Sequence, residues 1–153
     1  MKEQLIETWQ ISNRVDLLLL DHLTPEGLLV SLSTRGRNVY EQLVHLHTVR
    51  LQWLDVMGQK TAALPSPGKS APPDINTLRT ILGSSSKAIE ELISASWENG
   101  GRLKGFKRGI IPFIGYLIAH EAHHRGNILL TLKQSSIKLP DALKWGIWDW
   151  NKV

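Results

Sequence analysis

Six histidines and no cysteine set the limits on metal and nucleophile chemistry in this chain of 153 residues. Without a thiol there is no disulfide, thiolate ligand, iron–sulfur cluster or cysteine nucleophile, so a soft metal site has to be built from imidazole. The histidines are His22, His45, His47, His120, His123 and His124. His120 and His124 stand at i and i+4, about 40° apart round a helix and one turn apart along it, the geometry by which two imidazoles grip one ion. Their stripe continues through Phe113, Leu117 and Ile128 and reads as core-facing. Two inward imidazoles at one level need a partner for their nitrogens, and a divalent metal uses both at once. A third histidine from another inward helix completes three neutral ligands with an open position, the arrangement of a catalytic divalent ion.

Two residues compete for that third place. On a helical wheel His47 falls in the apolar arc with Leu43, Leu51 and Leu54, whereas His45 falls beside Gln42, Val49 and Gln52. The two lie about 200° apart, so one ion cannot use both, and periodicity alone favours His47. The run from His120 to His124 also spells HExxH, the pattern in which a glutamate serves a metallopeptidase as general base. No later His or Glu completes such a site, and Glu121 has a plainer role as the helical ion-pair partner of Arg125, four residues on. A bland reading stands beside the metal one, because an inward histidine is often simply a hydrogen-bonded core residue.

These side chains need long helices to position them. Apolar residues between Leu5 and Leu20 predict a first helix over about residues 2–21, and Thr24, Pro25 and Glu26 predict a short capped turn. Val39, Leu43, Leu46, Trp53 and Met57 mark a second long helix over residues 38–57, ended by Gly58. Residues 59–73 carry Pro65, Pro67, Pro72 and Pro73 and read as a long crossover loop. Asp74 caps a third helix running to about Ser96, and Asn99, Gly100 and Gly101 stop it. After a basic linker, Pro112 sits in the first turn of a fourth helix that extends to about Gln134. The tail, with Trp145, Trp148 and Trp150, is expected to pack on the bundle or on a second subunit. Four long helices, one crossover and no strand predict an all-α, antiparallel four-helix bundle forming a single domain over residues 1–153.

Composition narrows the function classes. A hydrophobic fraction of 42% with 21% charged residues suits a globular chain with a real core. The net charge of +4 is mild. Arg35 and Arg37, then Arg102, Lys104, Lys107 and Arg108, lie in separate loops rather than in one stripe, which argues for solvated surface and against a nucleic-acid partner. No apolar run approaches the ~20 residues of a membrane span, so a cytoplasmic location without a membrane partner is expected.

The residues also resemble a family. The segment Gly36 to His45 leading to Trp53 and Leu54, the segment His120 to Leu129, and the terminal Trp145 to Trp150 together resemble the DinB/YfiT-like family of small four-helix-bundle metalloenzymes, with Asn127 where Gln is usual. The resemblance implies that one histidine of the second helix and two of the fourth bind a divalent metal, often nickel or zinc, with positions left for water. Its spacing, an apolar residue after the ligand and an aromatic one eight positions on, selects His45 with Leu46 and Trp53 and leaves His47 as the alternative. The implied site is therefore His45, His120 and His124. The implied chemistry is that of low-molecular-weight thiols, S-transfer to electrophiles or thiol-dependent isomerisation, with the sulfur arriving on a small-molecule substrate; no general base is assigned. A homodimer is expected. The rival expectation from another class is a noncatalytic metal- or ligand-binding bundle.

Overall fold

The apolar periodicity resolves into six helices in a computed structural model, which describes residues 1–68 and 72–153. They are α1 (Lys2–Asp21), α2 (Pro25–Leu29), α3 (Val39–Val56), α4 (Ile75–Glu98), α5 (Ile110–Gln134) and α6 (Asp141–Gly146). The four long ones coincide with the expected helices to within two residues at each end. The centre of the predicted crossover loop, residues 69–71, lies outside the described residues.

Local chemistry sets where the helices begin. Thr24 accepts the Gly27 amide at 3.1 Å while Pro25 occupies the first turn of α2. At the start of α3, Asn38 and Glu41 form a reciprocal box, with the Glu41 amide donating to Asn38 Oδ1 at 2.8 Å and the Asn38 amide donating to Glu41 Oε2 at 2.9 Å. Asp74 accepts the Thr77 amide at 2.7 Å and opens α4. Each such cap is worth about 1 kcal/mol by satisfying an amide that has no partner inside the helix.

Cross-helix contacts fix the directions. Lys2 meets Glu98, Gln10 meets Glu90 and Asp21 meets Arg79, so α1 and α4 run antiparallel. Arg50 of α3 reaches Glu121 of α5, and Trp53 reaches Phe113, so α3 and α5 are also antiparallel. The long crossover has a different effect: Arg50 contacts the Leu82 carbonyl and the Ser85 hydroxyl, Tyr40 lies near Asp74, and α3 and α4 consequently run side by side in the same direction. The all-α bundle is formed, with mixed neighbour directions that follow from the crossover. Among the described residues the only β feature is an isolated bridge between Leu103 and Phe106.

Two apolar clusters fill the bundle. One holds Leu19, Leu20, Leu43, Leu46, Leu78, Leu82, Ile128 and Leu132; the other holds Trp9, Leu54, Ile89, Leu92, Phe113 and Leu117. A polar layer separates them, and it was not anticipated from the sequence. Arg50, fully buried, donates to Glu121 Oε1 at 2.7 Å, Asp16 Oδ2 at 3.2 Å and Asn13 Oδ1 at 3.0 Å. Arg125 closes the layer on Asp16 Oδ1 at 2.7 Å, and the Arg50 guanidinium lies 4.8 Å from the Trp9 ring centre. The expected Glu121–Arg125 pair does not form, because both side chains point into the core and find partners on other helices.

The tail divides between core and solvent. Leu143 is buried and Ile147 packs against the first cluster, while Trp145 and Trp148 are 71% and 76% exposed, so of the two expected placements these indoles do not take the one on the bundle. Among the described residues no helix is long and apolar enough to cross a membrane.

Candidate metal centre

α3 and α5 bring His45, His120 and His124 together. One nitrogen from each ring lies within 4.8 Å of the others, and all three side chains are half-buried. The rings meet edge to face, with centroids 5.4 Å apart for His45 and His120, 4.8 Å for His45 and His124, and 4.7 Å for His120 and His124. Three atoms 4.8 Å apart have a common centre ~2.8 Å from each, so closing on an ion at the ~2.0–2.1 Å of an imidazole ligand takes under ~1 Å of movement per ring.

The electrostatics suit a cation. Burial lowers the pKa of His124 to about 4, helped by His120 and His45. Burial likewise lowers His45, with Arg37 and His120 adding to it, and His120, with His123 adding. Neutral rings are the form that donates a lone pair to a metal. The Nδ1 atoms of His120 and His124 are buried and have no hydrogen-bond partner among the described residues. Orphaned buried nitrogens cost ~1–3 kcal/mol each when nothing satisfies them. Donor set, protonation and orphaned atoms therefore all fit a bound divalent ion.

His47 stands apart from this cluster. It is 1% exposed, lies near the backbone of Ile81 and Pro65, and neither ring nitrogen makes a hydrogen bond among the described residues. The structure groups His45 rather than His47 with His120 and His124, because α3 packs on two sides: one meets α4 and holds His47, and the other meets α5 and holds His45. A wheel that assumes one buried face picks the more apolar arc, which here lies away from the other two histidines. The expected α5 stripe shifts as well. Its buried positions pass through Leu117, Glu121, Arg125 and Ile128, leaving His120 and His124 at the edge of the core, where a cavity can reach them.

The neighbouring histidines have ordinary surroundings. His22 ends α1 with Nδ1 2.9 Å from the Leu18 carbonyl, and His123 is exposed with Nε2 3.1 Å from Asn127 Nδ2. Glu121 follows His120 directly, yet the 100° step per residue turns it away from the cluster into the ion layer, where burial pushes its carboxyl up to about 7 against the pull of Arg50. It is not placed as a base toward the histidines, and this removes the geometric support for the HExxH reading.

Two features beside the cluster had no sequence expectation. An aromatic run, Trp53, Phe106, Phe113 and Tyr116, packs edge to face at centroid spacings such as 5.7 Å for Trp53 and Phe106 and ends with Tyr116 stacked 6.4 Å from His120. A cavity of about 780 Å³ opens on His45 and is bordered by the loop that carries Arg35 and Arg37. The first feature joins residues more than fifty positions apart. The second is bordered by a loop whose two arginines stay exposed, as their sequence context implies, while lining the cavity together with residues of α3.

The fold and site define a helical bundle with a three-imidazole cluster, able to hold a metal ion, at the joint of two antiparallel helices. A match to the DinB family spans residues 1–139, and the chain belongs to that family. No curated protein and no solved structure matches it.

Proposed function

We propose that this DinB-family protein is a divalent-metal-dependent enzyme in which His45, His120 and His124 hold nickel or zinc. The observation that carries the reading is the convergence of three half-buried imidazoles, one of which, His45, borders a cavity of about 780 Å³. A bound ion with three neutral ligands keeps its full charge and supplies Lewis acidity, which favours the deprotonated form of a thiol or water. The chain contributes everything else. Imidazole nitrogens from two helices set the ion's position, and the ion layer behind α5 holds the helix in register. The aromatic run excludes water from one side.

The reaction class is thiol S-transfer to an electrophile, or hydrolysis. With no cysteine in the chain, any thiol is brought by the substrate, and a low-molecular-weight thiol is the proposed partner. The protein is proposed to act as a homodimer through the face that carries the exposed Trp145 and Trp148.

Metal analysis of untagged protein tests the reading. One equivalent of divalent metal is expected in the wild type, lost in His120→Ala and in His124→Ala. A metal-free wild type that takes up no nickel or zinc on titration refutes it. A bound ion without turnover against electrophiles offered with a panel of cellular thiols, and without hydrolysis, transfers the case to a noncatalytic metal-binding bundle.

A further inference from the structure

The loop of residues 30–38 brings two arginines to the edge of the histidine cluster. Arg35 and Arg37 line the cavity of about 780 Å³ whose wall includes His45. Arg37 and its neighbour Gly36 also border a second cavity, of about 310 Å³, that is bounded by His124. Gly36 and Arg37 are the residues these two cavities share, so the Arg37 side chain stands between the His45 side and the His124 side of the cluster.

Neither arginine forms an ion pair among the described residues. The carboxylate in the same wall, Glu41, is engaged at the start of α3, where Oε2 accepts the Asn38 amide at 2.9 Å. The wall therefore offers two exposed guanidinium groups beside the Glu41 carboxylate. A divalent ion with three neutral ligands would add two more positive charges at the cluster that these cavities border. Like charges so placed repel unless an anion lies between them, and a guanidinium grips carboxylate or phosphate through paired N–H groups.

We infer that Arg37, supported by Arg35, anchors an anionic group, carboxylate or phosphate, on the substrate whose reacting atom reaches the three-histidine cluster. This rests on the metal reading above. The substrate is thus a small organic acid or phosphate ester, held at its charged end by the loop.

The test uses nickel-loaded full-length protein and the thiolate-to-nickel absorption band as its readout. The probes are 3-mercaptopropionate, 2-mercaptoethylphosphonate and the uncharged 3-mercaptopropanol, compared at equal thiolate concentration. The wild type is expected to bind at least one of the anionic thiols about tenfold or more tightly than the alcohol, the scale of one charge-assisted contact. Whichever anion is preferred identifies the source. Arg37→Gln is expected to abolish the preference without weakening nickel or 3-mercaptopropanol binding. Equal affinities in the wild type, or a preference that survives in Arg35→Gln/Arg37→Gln, overturn the inference. Failure of the wild type to bind nickel refutes the metal reading instead. In that event the Arg37 side-chain NMR resonances of metal-free protein decide the anchor: a saturable shift with propionate or inorganic phosphate supports it, and no shift overturns it.

Discussion

Two histidines two positions apart on α3 meet different surroundings, and the difference can be measured. His45 faces His120 and His124, while His47 is enclosed on the α4 side with two unsatisfied nitrogens. His45→Ala should therefore lower divalent-metal affinity by at least ~100-fold, beyond the 10–100-fold typical of residues that only support a ligand, while His47→Ala leaves it unchanged by calorimetric titration. The pH dependence has a defined sign. Burial holds the three imidazoles below the ordinary value of 6.5, and His124 down to about 4, so the rings stay neutral in mild acid. Protons then compete with the metal only below the usual histidine range. Affinity should therefore be lost only as pH falls below 6.5; a midpoint of loss at 6.5 or above would show that the site does not depress these pKa values.

At the scale of the elements, the polar layer between the two apolar clusters sets how α1, α3 and α5 fit together. Arg50 serves Asp16, Glu121, Asn13 and Ser85 at once from a fully buried position. Such a group is weak as net stabilisation, because desolvation offsets the attraction, but breaking it strands buried carboxylates. Arg50→Met should cost about 3–5 kcal/mol in denaturant unfolding, and combining it with apolar replacements of Asp16 and Glu121 should recover much of that loss. The turn between α4 and α5 carries a second constraint. Gly105 has φ of +78°, and a Cβ there would overlap the Val56 side chain. Gly105→Ala should destabilise the protein by ~1–3 kcal/mol, the scale of a strained non-glycine backbone, and loosen the Phe106 contact with Trp53, read as a change in tryptophan fluorescence.

For the whole molecule, an ion that joins α3 to α5 binds the folded chain alone. Free metal at one hundred times its Kd should stabilise the fold by about 2.7 kcal/mol, and a chelator should remove that increment, seen as a lower Tm. The exposed Trp145 and Trp148 bear on assembly rather than on the core. Trp145→Glu/Trp148→Glu should convert the proposed dimer to monomer in light scattering while leaving metal content intact, since Leu143, not the indoles, anchors α6 to the bundle.

Helix positions, caps and the bundle class were legible in the chain, because they depend on local signals: Thr24 with Pro25, Asp74, the prolines of the crossover, and periodic leucines. The i,i+4 pair His120 and His124 was legible for the same reason. Properties that depend on which faces meet were not. A one-face wheel favoured His47 over the histidine that meets His120 and His124 because α3 packs on two sides, and the spacing from His45 to Trp53 pointed the other way. Arg50 interrupts the stripe from Leu43 to Leu54, a signal for a buried charge, but only the fold shows that Asp16 and Glu121 are there to receive it. Short-range patterns and cysteine content were thus determined by the sequence alone. Which imidazoles meet, where Glu121 turns and what lies beside Arg37 were decided by tertiary packing, because each depends on residues tens of positions apart.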